Sequence, residues 1–164
     1  MRIPSLQQIT RLAALVSVTA LFGPPHIKVR HVATPATAPA GVVFELDVLH
    51  HTTPEDSKVT GRAEGVRDGR RVSLPLTIGH KSTGLFTVTR QWDAGKAWVL
   101  VFAAEQGEDG KHGVAEAIVS LESSGALKGI SYTEPGFVDG KPSRATPKQI
   151  DAALKQLGLV ASAP

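Results

Sequence analysis

An all-β fold, an antiparallel β-sandwich of seven or eight strands followed by a short C-terminal helix, is what this chain predicts. Three observations carry that reading: a self-consistent hairpin, an alternation of apolar and polar residues with turns about every ten residues, and one well-capped helix near the end. The hairpin is residues 58–78, KVTGRAEGVRDGRRVSLPLTI. Asp68-Gly69 at its centre suits a type I′ turn, which needs positive φ at both central positions. Closing the chain there pairs Arg67 with Arg70, Gly65 with Val72, Ala63 with Leu74, Gly61 with Leu76 and Val59 with Ile78. One face is then small opposite large and apolar throughout. The other, with Thr60, Arg62 and Glu64 against Arg71, Ser73 and Thr77, reads as a solvated face.

Composition allows one domain. The chain has 164 residues, 41% of them apolar, with 16 glycines and 11 prolines, as turn-rich β proteins have. The formal charge is +3, but Arg2 and Arg11 precede an apolar run and without them it is +1. That balance gives no electrostatic footprint for nucleic acid, so no nucleic-acid partner is expected. There are no cysteines, which removes disulfides, thiol nucleophiles and thiolate metal sites.

Residues 12–23, LAALVSVTALFG, have the length of a signal-peptide core and fall short of a comfortable membrane span. Val18-Thr19-Ala20 offers a cleavage site. Residues 1–20 are therefore read as a signal peptide, with an uncleaved anchor as the variant, and membrane attachment would run through this segment. The expected location is extracytoplasmic: periplasmic, secreted or N-terminally anchored. Pro24-Pro25 ends the run. Residues 26–33 alternate as a basic edge strand would, and residues 34–41 (TPATAPAG) form a linker within an N-terminal segment, residues 21–41.

The sandwich domain is placed at residues 42–133. Its first strand, residues 42–49, turns Val42, Phe44, Leu46 and Val48 inward and Glu45 and Asp47 outward. Residues 50–57 read as a loop, and GHKSTG (residues 79–84) as a turn. Residues 85–92 and 97–104 then form a hairpin whose register follows from a five-residue loop, Asp93 to Ala97. That loop sets Phe86, Val88 and Trp92 against Ala104, Phe102 and Trp98, gathering both tryptophans into the core. Glu105, Glu108 and Asp109 fall in a charged turn. In residues 114–122, Ala115, Ala117, Val119 and Leu121 face inward and Glu116, Ser120 and Glu122 outward. A weaker strand covers residues 127–132.

Residues 134–164 comprise a loop and the helix, predicted over residues 147–157. Thr146 is its N-cap, Pro147 its first residue, Gln149 completes a capping box and Gly158 stops it. Ile150, Ala153, Leu154 and Leu157 make an apolar stripe that needs a surface, because so short a helix is not stable alone. The edge strand 127–132 is the expected seat.

Chemistry is sparse. His26 and His31, and the adjacent pair His50 and His51, are the candidate metal ligands, usable together if the first strand lies beside the loop that holds the pair. On an extended chain His50 and His51 point to opposite sides and share an ion only across a turn. No catalytic or cofactor-binding residue emerges, no cofactor is expected, and the chain is read as a non-enzyme.

The runs VTGRAEG-x-RDG-RRVSLPL, G-x-FTV-x-RQW and G-KAWVLVF, across residues 42–131, resemble the immunoglobulin-like β-sandwich of exported bacterial proteins of the YtkA-like and FixH-like kind. The resemblance implies an extracytoplasmic accessory domain with a protein partner in the cell envelope. It also brings copper handling into view, although Met1 is the one methionine and no Met/Cys/His cluster is present.

Overall fold

The structure, a computed structural model, describes residues 24–32, 41–134, 137–138 and 141–159. The apolar run at residues 12–23 and most of the linker lie outside the described residues. Among the described residues, eight strands have five or more residues: β1 (Pro25–His31), β2 (Val42–His50), β4 (Lys58–Arg67), β5 (Arg70–Leu76), β7 (Leu85–Thr89), β8 (Trp98–Gln106), β9 (Gly113–Leu121) and β10 (Leu127–Tyr132). Four short ones complete the set: β3 (Thr53–Pro54), β6 (Gly79–Ser82), β11 (Phe137–Val138) and β12 (Lys141–Pro142). Among the described residues one α-helix, α1 (Pro147–Gln156), follows. One antiparallel sheet runs β1-β2-β7-β6, with β3 on the end of β2. The other runs β10-β9-β8-β4-β5, and β11 pairs only with β12. The all-β sandwich with a C-terminal helix is what the sequence predicts.

The central hairpin has the predicted register from Gly61–Leu76 to Arg67–Arg70, and Asp68 and Gly69 both have positive φ, 52° and 74°. Its small-opposite-large face has a specific cause. A Cβ at Gly65 would lie 2.6 Å from Cε3 of Trp98, and one at Gly61 would lie 3.1 Å from Phe102. The glycines of β4 make room for the aromatics of β8.

β7 and β8 do not form the predicted hairpin. β7 pairs with β2 and β6, and β8 with β4 and β9, so the chain crosses from one sheet to the other between them. Phe86, Val88, Trp92, Trp98 and Phe102 do share one core, but across the gap between sheets instead of along a ladder. Three predicted loops also contribute strands, since residues 50–57 include β3, residues 79–84 include β6, and the loop before the helix includes β11 and β12.

α1 has its predicted cap: the Thr146 side chain accepts from the Gln149 backbone N–H, and the reciprocal Gln149 contact is present. Its seat differs from the expected one. Ile150, Ala153 and Leu154 pack on Val99, Val101 and Ile118, the outer face of β8 and β9, and not on the edge at β10. The two central strands are therefore buried on both faces, which explains why WVLVFAA lacks polar alternation. Truncation of Leu154 to Ala is expected to cost about 2 kcal/mol, measured by urea unfolding at constant m-value. A cost within error of zero would mean that this seat is not occupied in solution.

Candidate functional site

The helix seat is framed by carboxylates that the sequence alone would leave in water. Glu64, predicted on a solvated face, is buried, and it accepts from Arg62 Nε at 3.1 Å, Arg71 Nε at 3.3 Å and Ser73 Oγ at 3.0 Å. Arg71 also reaches Asp151 on α1, so the polar hairpin face is one border of the helix site. Glu105 and Glu116, predicted in a turn and on an outward face, are buried as well. Arg144 bridges them, its Nη2 3.0 Å from Glu105 and its Nη1 3.3 Å from Glu116. Lys58 adds a contact to Glu105, and the Ala145 N–H donates to Glu116 Oε2. Ser120, also predicted outward, is buried; Glu122 is exposed as expected. These acids hold the segment before α1 against the sheet. Their oxygens are taken by guanidinium, hydroxyl and backbone donors, an arrangement suited to fixing a fold and not to exchanging protons with a substrate.

The surface acids follow the same logic. Bidentate hydrogen bonds from Arg67, both 2.8 Å, hold the Asp93 carboxyl below its usual range. A hydrogen bond from Lys81 does the same for Glu45, and one from the Gly84 backbone N–H for Asp56, helped by His80.

The histidines behave differently from one another. β1 and β2 pair so that Pro25 faces His50 and His26 faces Leu49, which brings the start of β1 beside the residue after β2. His51 has φ 56°, and this turn sets its ring 4.5 Å from that of His50, the geometry an extended chain denies them. His50 lies 3.8 Å from Glu55, which also accepts from Gln106. His31 is at the other end of β1, against the Phe44 ring at 5.1 Å, and is not part of this group. Three of the four candidate histidines thus lie at one pole of the sandwich, His26 and His51 on one cleft and His50 against His51. Among the described residues, no three His, Asp or Glu side chains converge as metal ligands.

His26 and His51 line an open cleft of about 720 Å³ together with Lys28, Leu49, Thr52 and Tyr132. Tyr132, at the end of β10, accepts a hydrogen bond from the Val29 N–H at 3.3 Å and so ties the edges of the two sheets together. Half of Tyr132 remains exposed, and with Leu127 it is one of the two large apolar residues exposed on β10. Lys28, Thr52 and Tyr132 are residues that sequence reasoning passed over. The one available signal was the chain's single tyrosine closing an otherwise unremarkable strand.

Comparison with family models, curated proteins and solved structures finds no match to this chain.

Proposed function

We propose that this protein is a non-enzymatic interaction domain of the bacterial cell envelope, exported through its N-terminal apolar segment and immunoglobulin-like in the manner of YtkA-like and FixH-like proteins. The observation that carries the reading is the state of the sheet edges. β5 carries Pro75 and, at its start, Arg70 and Arg71, and β6 has four residues. On β1, Lys28 and Arg30 are exposed and Tyr132 occupies the Val29 N–H. Such features blunt an edge against strand addition. β10 has six residues, exposes Leu127 and Tyr132, and carries Lys128 as its one charge. It borders a groove against α1 lined by Ile118, Ile130, Gln149 and Ala152. An edge of this kind, beside a half-apolar groove, suits an extended segment of a protein partner.

A photo-crosslinking residue introduced at Ser131 is expected to yield a discrete adduct in envelope fractions, and the same residue at Thr77 beside β5 none. Identical patterns from the two positions would refute the reading. The place of His26 and His51 on one cleft, with the His50 ring 4.5 Å from that of His51, favours a second reading, an extracytoplasmic Cu or Zn binding or chaperone domain. Titration with Cu(II) and Zn(II) decides between them: sub-micromolar binding lost in both His26→Ala and His51→Ala would establish the metal reading.

A further inference from the structure

β10 is a terminal strand of its sheet, and it overhangs the sheet that faces it. β1, the facing edge, packs across from β9 and β8 and stops short of covering β10. Leu127, Ile130 and Tyr132 pair with Leu121, Val119 and Ala117, all three in the core, so they turn to the core side of β10. Ile130 is half-buried there, while Leu127 stays 37% and Tyr132 50% exposed. The underside of the overhang is therefore an apolar strip that this chain covers only in part.

The backbone of the strand fixes what can pair with it. Thr133 N–H donates to the Glu116 carbonyl at 3.0 Å, and the ladder before it sets Ser131 against Ile118 and Gly129 against Ser120. Backbone groups alternate in direction along an antiparallel strand, so Gly129 and Ser131 aim theirs at β9 and Ile130 and Tyr132 aim theirs at the open edge. Among the described residues nothing stands in the way of a further strand. α1 sits on β8 and β9, and the residues of β10 on its side are small, Gly129 and Ser131. Lys128, the strand's one charge, is drawn back along the groove by the Gln156 carbonyl, 2.8 Å away.

We propose that a second copy of this chain occupies this edge, the two β10 strands pairing antiparallel about a two-fold axis at Ile130 and joining their sheets into one. That register sets Ile130 against its own counterpart, Gly129 against Ser131 and Lys128 against Tyr132. An isologous contact has to be self-complementary, and this one is. Leu127, Ile130 and Tyr132 of the two copies complete one apolar strip between the two β1 edges. The exposed Glu134 falls diagonal to Lys128 of the other copy, an opposite charge, while the two Lys128 stand four residues or ~13 Å apart along the strands. Six residues a side fall well short of the ~20–30 of a standard interface, so the dimer is weak and concentration-dependent. The inference names the partner of the β10 edge and rests on the interaction-domain reading.

The chain has no cysteine, so introduced thiols report the register. Full-length Gly129→Cys and Ser131→Cys are purified separately and oxidised with diamide, alone and mixed, at about 100 µM. A Cβ at Gly129 meets nothing within 4 Å, so the first variant disturbs no neighbour. Position 129 of one copy lies directly opposite 131 of the other, within disulfide reach, whereas 129 to 129 and 131 to 131 are diagonals of about 7–8 Å, beyond it. The expected result is roughly fivefold more disulfide dimer in the mixture than from either protein alone. Adding Ile130→Pro to both should cut that yield about tenfold, because its N–H faces the open edge and not β9; urea unfolding verifies that this variant is folded. Equal yields from mixed and separate proteins overturn the proposal, as does a yield untouched by folded Ile130→Pro. No disulfide dimer, with a Ser131 photo-adduct to a different protein still formed in envelope fractions, overturns the second copy and leaves the interaction-domain reading standing. Loss of the disulfide and of the Ser131 adduct together removes both.

Discussion

Trp98→Ala is expected to destabilise the sandwich by about 3–5 kcal/mol and to lower its melting temperature by about 10–20 °C. Trp98 is 1% exposed and lies in the core between the two sheets. One face of the ring rests on Gly65, its Nε1–H donates to the Asp93 carbonyl at 3.2 Å, and the Arg67 guanidinium lies 5.6 Å from its centroid. Truncation empties that volume and removes the hydrogen bond together. The companion variant Gly65→Ala should cost about 1–3 kcal/mol by overpacking, since its new methyl meets the same ring at 2.6 Å. The pair is therefore expected to be non-additive. In the Trp98→Ala background the methyl enters vacated space, so the double variant should be more stable than the summed single costs imply. A thermal or urea double-mutant cycle measures this directly, and strict additivity would show that Trp98 does not pack on Gly65.

Arg144→Ala is expected to cost about 3 kcal/mol, at the lower end for a broken buried pair because the guanidinium is partly exposed. Its removal leaves Glu116, 1% exposed, with no cation, and leaves Glu105 with Lys58 alone. Glu116→Gln in the Arg144→Ala background should restore part of the stability, since a neutral amide can still accept from the Ala145 N–H. Urea unfolding of the two variants reports both effects. A loss with no recovery in the double variant would place the destabilisation in packing of the Arg144 stem instead.

The two variants probe different kinds of information. The Gly65–Trp98 contact is half visible in sequence, because the alternation of Gly61, Ala63 and Gly65 against Val72, Leu74 and Leu76 declares that one face is small. Which large residue fills it is a matter of the neighbouring strand. The Glu105–Arg144–Glu116 bridge is not visible at all. Arg144 sits in a polar loop, and Glu116 alternates with alanines as an ordinary outward residue does. A trace existed in β8, whose uninterrupted apolar run signals a strand covered on both faces. Once β8 is covered, its neighbour β9 is covered too, and the acids on that face must find partners.

The candidate site divides in the same way. His50 and His51 are adjacent in sequence, yet their stacking depends on a positive φ at His51, an unusual value for a residue other than glycine. His26 joins them through the antiparallel pairing of β1 with β2, and Tyr132 arrives from the other sheet. None of these meetings has a local signature.

By itself the sequence determined the β class, the register of the β4–β5 hairpin, the inward faces of β2 and β9, and the start and stop of α1. These rest on short-range physics: the φ demand of Asp68-Gly69, the side-chain period of two, and a side chain capping backbone donors within one turn. Only the tertiary structure decided that β7 and β8 lie in different sheets, that α1 covers β8 and β9, and that Glu64, Glu105 and Glu116 are buried around its seat. Period-two alternation states which way a side chain faces but not which strand lies alongside. The choice of neighbour is made by core packing and loop closure across the whole chain, where the sequence carries no local mark.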